Sequence, residues 1–216
     1  MAKLTDLGFS NGIIFETLLS TFNPDGTAHA APMGATMVNN QTISLNLYNS
    51  SQTCRNLKTN KYAVINLTNN VEIFYRTTFK EANTNGKLPQ EWFEKKEAEN
   101  APYLHYADAT VAIAVVEMEP AGAEKTRFSC KVKRIEAAKL YPQVYCRAEA
   151  ATLEAILQAT RVKLFINQKT KQEDVGRLLG LIQNSNDVVS RVAPNSAYSA
   201  VMADLMKRID GWRNQT

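Results

Sequence analysis

The stretch from His29 to Leu67 constrains this chain more than any other. A ribbon of small residues, Ala30-Ala31-Pro32-Met33-Gly34-Ala35, precedes an apolar strand that ends at Tyr48. A hydroxyl-rich turn follows, Asn49-Ser50-Ser51-Gln52-Thr53-Cys54-Arg55-Asn56-Leu57, and then a third strand, Tyr62-Ala63-Val64-Ile65-Asn66-Leu67. Strand, strand, short helix and strand form the frame on which the rest is read.

The turn carries the first chemical signal. Ser50-Ser51 opens a short helix ending near Asn60, and a serine oxygen is a favoured acceptor for the unpaired amides of a helix start. Those amides, with the helix dipole behind them, can equally hold a phosphate. Ser51 and Thr53 add hydroxyls and Arg55 adds charge, so an ordinary N-cap and an anion seat both remain open at this point. The ribbon before it adds a second signal. Ala30, Ala31 and Gly34 permit a planar ligand to approach the backbone, and Pro32 is best tolerated at a sheet edge because it has no N–H to donate. A kinked edge strand in a small barrel explains the same residues without a ligand.

Further along, Ile13 to Phe22 and Ala28 to Val38 flank Asn23-Pro24-Asp25-Gly26, whose turn chemistry predicts an antiparallel hairpin. Strands are also expected over Thr110 to Glu119 and Thr126 to Ile135, joined by Pro120-Ala121-Gly122. Ahead of these two strands, Phe79 to Asn100 is polar and reads as a surface excursion with a helical turn, either bordering a pocket or simply solvated. Lys131, Lys133 and Arg134 are best read as a solvated face.

After Tyr141-Pro142 the period changes from two to helical. Leu153, Ile156, Leu157, Thr160 and Leu164 share one expected face. Val175, Leu178, Leu179 and Ile182 repeat the pattern, as do Tyr198, Val201, Met202, Leu205 and Ile209. Pro194 stops the second helix and Asn195 or Ser196 caps the third.

Several chemistries lack their parts. Two histidines, His29 and His105, stand in no HExxH pattern and beside no cysteine at ligand spacing, so no metal site is expected. GxSxG, GxxxxGK[ST] and GxGxxG are all missing. Three cysteines without CxxC spacing point to a reducing cytoplasm rather than a stapled secreted domain. The net charge of +4 does not call for nucleic acid. No signal peptide is expected at the start, and the apolar run Val111–Val116 is far short of the roughly 20 residues that cross a bilayer. Glu16 and His29 are acid or base candidates only if the hairpin carries them to a pocket; burial or exposure without catalytic work explains each more simply.

The series Glu16-Thr17, Ser20-Thr21, Asp25-Gly26, Ala31-Pro32-Met33-Gly34, Ser51-x-Thr53-x-x-Asn56-Leu57 and Ala63-Val64-Ile65-Asn66-Leu67 resembles the FMN-binding split-barrel superfamily. Within it the whole chain is similar to the DUF447 flavoproteins of methanogenic archaea and of methylotrophic bacteria that use tetrahydromethanopterin. Cys146-Arg147-Ala148, Leu153-Glu154-Ala155-Ile156-Leu157 and Ala159-Thr160-Arg161 resemble that family's C-terminal region.

The resemblance implies an α+β fold: an antiparallel, flavin reductase-like split β-barrel over residues 1–143 and a helical domain over 144–216. It implies noncovalent FMN in a cytoplasmic homodimer, with an unknown small-molecule redox partner and a connection to tetrahydromethanopterin-dependent C1 metabolism. The phosphate falls to Ser51, Thr53 and the neighbouring amides, assisted by Asn49, Ser50 and Arg55. The ring falls to Ala31, Pro32, Met33 and Gly34, and the ribityl chain or wall to Tyr48 and Asn56. A flavin-dependent oxidoreductase is the leading expectation. A protein that stores or senses FMN without turnover is the alternative, and a module with an empty barrel and working helices is the third. Split-barrel oxidases acting on pyridoxine phosphate carry several basic residues around the phosphate, whereas Arg55 is the single nearby candidate here before Lys58 and Lys61; oxidation of that substrate is disfavoured.

Overall fold

A computed structural model of the chain describes residues 2–96, 100–137 and 146–214. The expected boundary at 143/144, the change of pattern after Tyr141-Pro142 and part of the Phe79–Asn100 excursion lie outside the described residues. Those described within Met1–Thr68 and Lys80–Tyr141 form one compact unit, and those within Asn69–Phe79 and Pro142–Thr216 form a second.

Among its described residues the first unit holds eight strands: β1 (Ile14–Phe22), β2 (Ala28–Asn39), β3 (Thr42–Tyr48), β4 (Tyr62–Leu67), β5 (Phe93–Lys95), β6 (Pro102–Leu104), β7 (Ala109–Pro120) and β8 (Lys125–Ala137). Six of them close into an antiparallel barrel in the order β1-β2-β3-β8-β7-β4. The expected α+β split-barrel class is therefore found. Period-two alternation drives the closure: Ile43, Leu45 and Leu47 of β3, Ala63 and Ile65 of β4, Val111 and Ile113 of β7, and Phe128 and Cys130 of β8 all point into one core. Each large apolar side chain fully buried there contributes roughly 1.5–3 kcal/mol. Bulges between Met37 and Asn39 and along β7 add the local twist that a closed sheet needs. At the β1–β2 turn Gly26 adopts φ 82°, a conformation that costs a side chain energy.

Helix α1 (Gln52–Asn60) joins β3 to β4 and sets Cys54 and Leu57 into the barrel core. The barrel closes between β1 and β4 over only Leu18↔Asn66, Leu19↔Ile65 and Ser20↔Val64. Asn66 reinforces this short seam. Its fully buried Nδ2 donates to Leu18 O at 2.9 Å, Ser20 Oγ at 2.8 Å and Val64 O at 3.1 Å, while its Oδ1 accepts from the Leu104 amide at 3.0 Å.

The excursion departs from a plain surface loop. Phe93–Lys95 pairs with Pro102–Leu104 as a small second sheet, held to the barrel through Asn66 and through Ser20 Oγ, which donates to Pro102 O at 2.5 Å. Strands of three residues are too short to show a period, so contacts distant in sequence decide them.

The second unit is helical: α2 (Val71–Thr78), α3 (Arg147–Phe165), α4 (Gln172–Val192) and α5 (Ala197–Arg213). Helix α2 is absent from the sequence reading; Asn70 caps it, accepting from the Glu72 and Ile73 amides at 3.0 and 3.2 Å. Helices α4 and α5 bury the expected Val175, Leu178 and Ile182, and Val201, Met202, Leu205 and Ile209. In α3 the buried face is turned from the expected one. Ala148, Thr152, Ala155, Ile156, Ala159 and Val162 are inside, whereas Thr160 is exposed and Leu164 is 57% exposed. Small residues let α4 and α5 approach α3 closely, and that approach outweighs the larger leucines of the neighbouring face. Tyr75 of α2 donates to Asp204 of α5, and Arg208 donates to both, at 2.6 Å to the phenol and 2.9 Å to the carboxylate. Burial foremost, then Asp204, pushes the Tyr75 phenol above its ordinary value.

Candidate functional site

The barrel is split where β2 and β3 part. β2 pairs with β3 only over Ala35–Asn39, so Ala28–Gly34 meets β1 on one side and no strand on the other among the described ladders. Beyond the same point β3 keeps β8 as its partner and runs into α1. Pro32 sits within this open edge, where its missing N–H costs no ladder bond. Thr17 Oγ1 donates to Met33 O at 2.9 Å and steadies the ribbon from the β1 side. Ala31, Pro32, Met33 and Gly34 are all half-buried. The room that Gly34 leaves on its own face is taken, because a Cβ there would lie 2.8 Å from Ile14 Cγ2. At Gly34 that face is covered by Ile14.

The first turn of α1 is the second part. Ser51 is its N-cap: the hydroxyl accepts from the Cys54 amide at 3.1 Å and donates to Tyr48 O at 2.8 Å. The amides of Gln52 and Thr53 have no intrahelical acceptor by the geometry of a helix start. Arg55 folds back over this turn, donating to Ser50 O at 2.6 Å and to Gln52 Oε1 at 2.8 Å. Its guanidinium and the free end of the helix thus place positive charge at one spot.

Other expected residues have structural tasks. Asn49 Oδ1 accepts from Thr126 Oγ1 at 2.6 Å and Lys58 Nζ at 3.1 Å, tying the turn to β8 and to its own helix. The ring of Tyr48 lies under the Lys125 ammonium, 4.4 Å from its centroid. Asn56 is buried; its Nδ2 donates to Thr21 Oγ1 at 2.9 Å and Asn23 Oδ1 at 3.0 Å, and its Oδ1 accepts from Gln52 at 2.7 Å.

Thr53 links the two parts. Its hydroxyl is fully buried, 3.2 Å from His29 Nε2 on β2, so the helix start and the open ribbon are held together across 24 residues of sequence. Burial foremost, then the charges of Lys80 and Arg55, pushes the His29 imidazole well below its ordinary value, to about 3. It is neutral at pH 7 and a poor proton acceptor. Glu16, the other acid or base candidate, is solvent-exposed on β1 opposite Gly34.

Because the folded pKa of His29 lies below its unfolded value, the unfolded chain binds more protons between the two. Its contribution to stability is complete above about pH 6.5 and drains away as the pH falls toward 3. His29→Gln, which can still bond to Thr53, is expected to flatten this loss, the difference from wild type reaching about 2 kcal/mol by pH 5. Urea unfolding at pH 7 and pH 5 checks it; equal losses in both proteins would contradict a buried, neutral His29.

Two cavities share Asn23. One of about 390 Å³ is lined by Phe22, Asn23, Pro24, Asn56, Asn60, Lys95 and Asn100 among others. The other, of about 250 Å³, lies against His29 and is lined by Asp25, Thr27 and Ala28 on one side and by Lys80, Lys87, Leu88 and Gln90 on the other. The excursion therefore does border a pocket. Gln90 fixes it there, accepting from the Ala28 amide at 2.6 Å and donating to Ala28 O at 3.2 Å, as an added strand would. Lys80, Lys87 and Gln90 were not among the expected site residues, since nothing local marks residues fifty positions or so from the ribbon.

Among the described residues no group of three or more His, Cys, Asp or Glu side chains could hold a metal ion. No described helix is long and apolar enough to cross a membrane. Of the basic patch, Arg134 pairs with Glu136 at 2.5 Å, and Lys131 and Lys133 are exposed.

Residues 15–140 match the family model described as "Protein of unknown function (DUF447) N-terminal domain". An FMN-bound DUF447 protein from Methanosarcina mazei is similar over 95% of this chain and 99% of its own, with 22% identity and a TM-score of 0.76. Flavoredoxin from Methanosarcina acetivorans is similar over 62% and 76%, at 18% identity and a TM-score of 0.49. Nitrilotriacetate monooxygenase component B from Bacillus cereus is similar over 68% and 82%, at 16% and 0.49. No curated protein sequence matches the chain.

Proposed function

The chain belongs to the DUF447 family, whose N-terminal domain covers more than half of it, and from that premise we propose that it binds FMN and works as a flavin-dependent oxidoreductase. One observation carries the reading: an unpartnered, side-chain-poor strand edge is tied through His29–Thr53 to a helix start overlaid by a guanidinium. The donor set suits the cofactor. A phosphate needs amides and positive charge, and the rim of a flavin ring needs backbone donors and acceptors not already used by a ladder. The Methanosarcina mazei relative, which holds FMN, has the same fold.

In this reading the Gln52 and Thr53 amides and Arg55 hold the phosphate. Ser51 keeps the turn in shape through its bond to Cys54 and presents its remaining acceptor capacity. Ser50 and Asn49 border the turn, and Ala31 to Gly34 orient the ring along their edge, with Tyr48 and Asn56 as outer wall. FMN supplies the redox chemistry when bound, so no side chain has to act as a nucleophile. A homodimer, a cytoplasmic location and a partner reaction in tetrahydromethanopterin-dependent C1 metabolism complete the proposal.

Flavin-free protein titrated with FMN is expected to quench its fluorescence with a Kd of about 1 μM or tighter, some −8 kcal/mol. Loaded protein is then expected to consume NADH, NADPH or a reduced pterin. Absence of saturable FMN binding would refute the reading. Binding without turnover by any donor favours a storage or sensing role instead.

A further inference from the structure

We propose that the 250 Å³ cavity beside His29 is a phosphate seat, in which the Lys80 and Lys87 ammoniums face the anion from the excursion and His29 forms the floor from β2. Lys80 acts on His29 and Lys87 acts on Asp25, so both charges bear on groups lining the cavity.

The charge balance favours an anion. Asp25 is the acid among the described lining residues, and its carboxylate is spent on Thr27, accepting from the amide at 3.0 Å and from the hydroxyl at 2.6 Å. Among the described lining residues two lysines stand against one engaged carboxylate, with Arg55 near enough to act on the same imidazole. The wall is preformed, because the Gln90 amide is committed to Ala28 and, at 3.0 Å, to Leu88 O. A neutral imidazole can donate an N–H to a phosphate oxygen without a second buried charge to desolvate. The cavity adjoins the proposed cofactor site through the His29–Thr53 contact. With the FMN phosphate assigned to the α1 turn in the proposed function on which this rests, the phosphate seated here is that of a second reactant brought to the flavin.

The chain has two histidines, so its imidazole NMR spectrum separates the cavity from an internal control, His105. Inorganic phosphate titrated into the flavin-free full chain at low ionic strength is expected to shift the His29 signals saturably and leave His105 in place. Lys80→Gln and Lys87→Gln, which keep the aliphatic stems, are expected to weaken phosphate at least tenfold each, and Lys133→Gln on the exposed face of β8 to change nothing. Repeating the titration on FMN-saturated protein tests the source: a shift that persists is the expected result and means the phosphate of a second reactant, and one that disappears gives the cavity to the cofactor and overturns the proposal. A His29 signal that does not respond, or an unchanged affinity in the Lys80→Gln, Lys87→Gln double variant, overturns the seat. The flavin-free arm needs no cofactor, so a chain that ignores FMN yet binds phosphate here loses the flavin reading and keeps this one.

Discussion

Asn66→Ala is expected to lower the unfolding free energy of the barrel by about 3–5 kcal/mol, the largest effect of any single polar residue in the first unit. The seam between β1 and β4 is three residue pairs long, and Asn66 spans it and reaches β6 from the same side chain. Truncation strands the Leu104 amide in a place water does not reach and removes the side-chain donor from Leu18 O and Ser20 Oγ. Such an orphan costs about 1–3 kcal/mol, and the lost donor and side-chain volume add to this. Asn66→Asp is expected to be no better, since a carboxylate can accept from Leu104 but has nothing to donate to Leu18 or Ser20.

The two tryptophans allow a clean reading. Trp92 lies in the first unit, with its ring 5.9 Å from that of Tyr106, and Trp212 lies in the second, 5.7 Å from Phe79. In a Trp212→Phe background, urea unfolding followed by Trp92 fluorescence reports the barrel alone. For an m-value of about 2 kcal/mol/M the midpoint should fall by about 2 M. A loss below about 1 kcal/mol, the net worth of one ordinary hydrogen bond, would mean that the seam is held by something else.

The second large effect is expected in cofactor affinity. Arg55→Glu should weaken FMN at least a hundredfold, about 2.7 kcal/mol, and leave riboflavin within about twofold. Riboflavin has the ring and the ribityl chain but no phosphate, so the pair of ligands isolates the charge at the α1 turn. The substitution is exposed, and a carboxylate in the first turn of a helix agrees with the dipole, so the fold has no reason to suffer. Reversing the charge replaces attraction by repulsion at one spot. Arg55→Ala removes the attraction alone and should cost about tenfold, in line with a charge-assisted hydrogen bond partly replaced by water. Equal losses for both flavins, or none for either, would move the phosphate away from Ser51–Arg55. Isothermal titration at low and physiological salt checks it, the FMN difference shrinking as salt rises.

Much of the first unit could be read from local pattern. Ile43, Leu45 and Leu47 alternate, Ser51 announces a helix start, and Asp25-Gly26 announces a hairpin; each is a property of neighbours in sequence. The split itself was half legible. Pro32 excludes a ladder partner on one side, but that β3 turns away just beyond Leu45 depends on where β8 holds it. For the site residues, local reading located Ser51 and Arg55 at the turn, yet it could not show that Thr53 is buried against His29 or that Asn49 is committed to Thr126. Those pairings join segments far apart in the chain.

By itself, then, the amino-acid sequence determined the succession of the six barrel strands and of α1, α3, α4 and α5, the edge character of Ala31–Gly34 and the helix start at Ser51, because backbone sterics, capping and periodicity act within a few residues. Tertiary structure alone decided the Asn66 seam, the β5–β6 sheet, the small-residue face of α3 and the gathering of Lys80 and Lys87 around His29. Each of these depends on which distant surfaces meet. Burial and charge are properties of that meeting, and no single segment carries them.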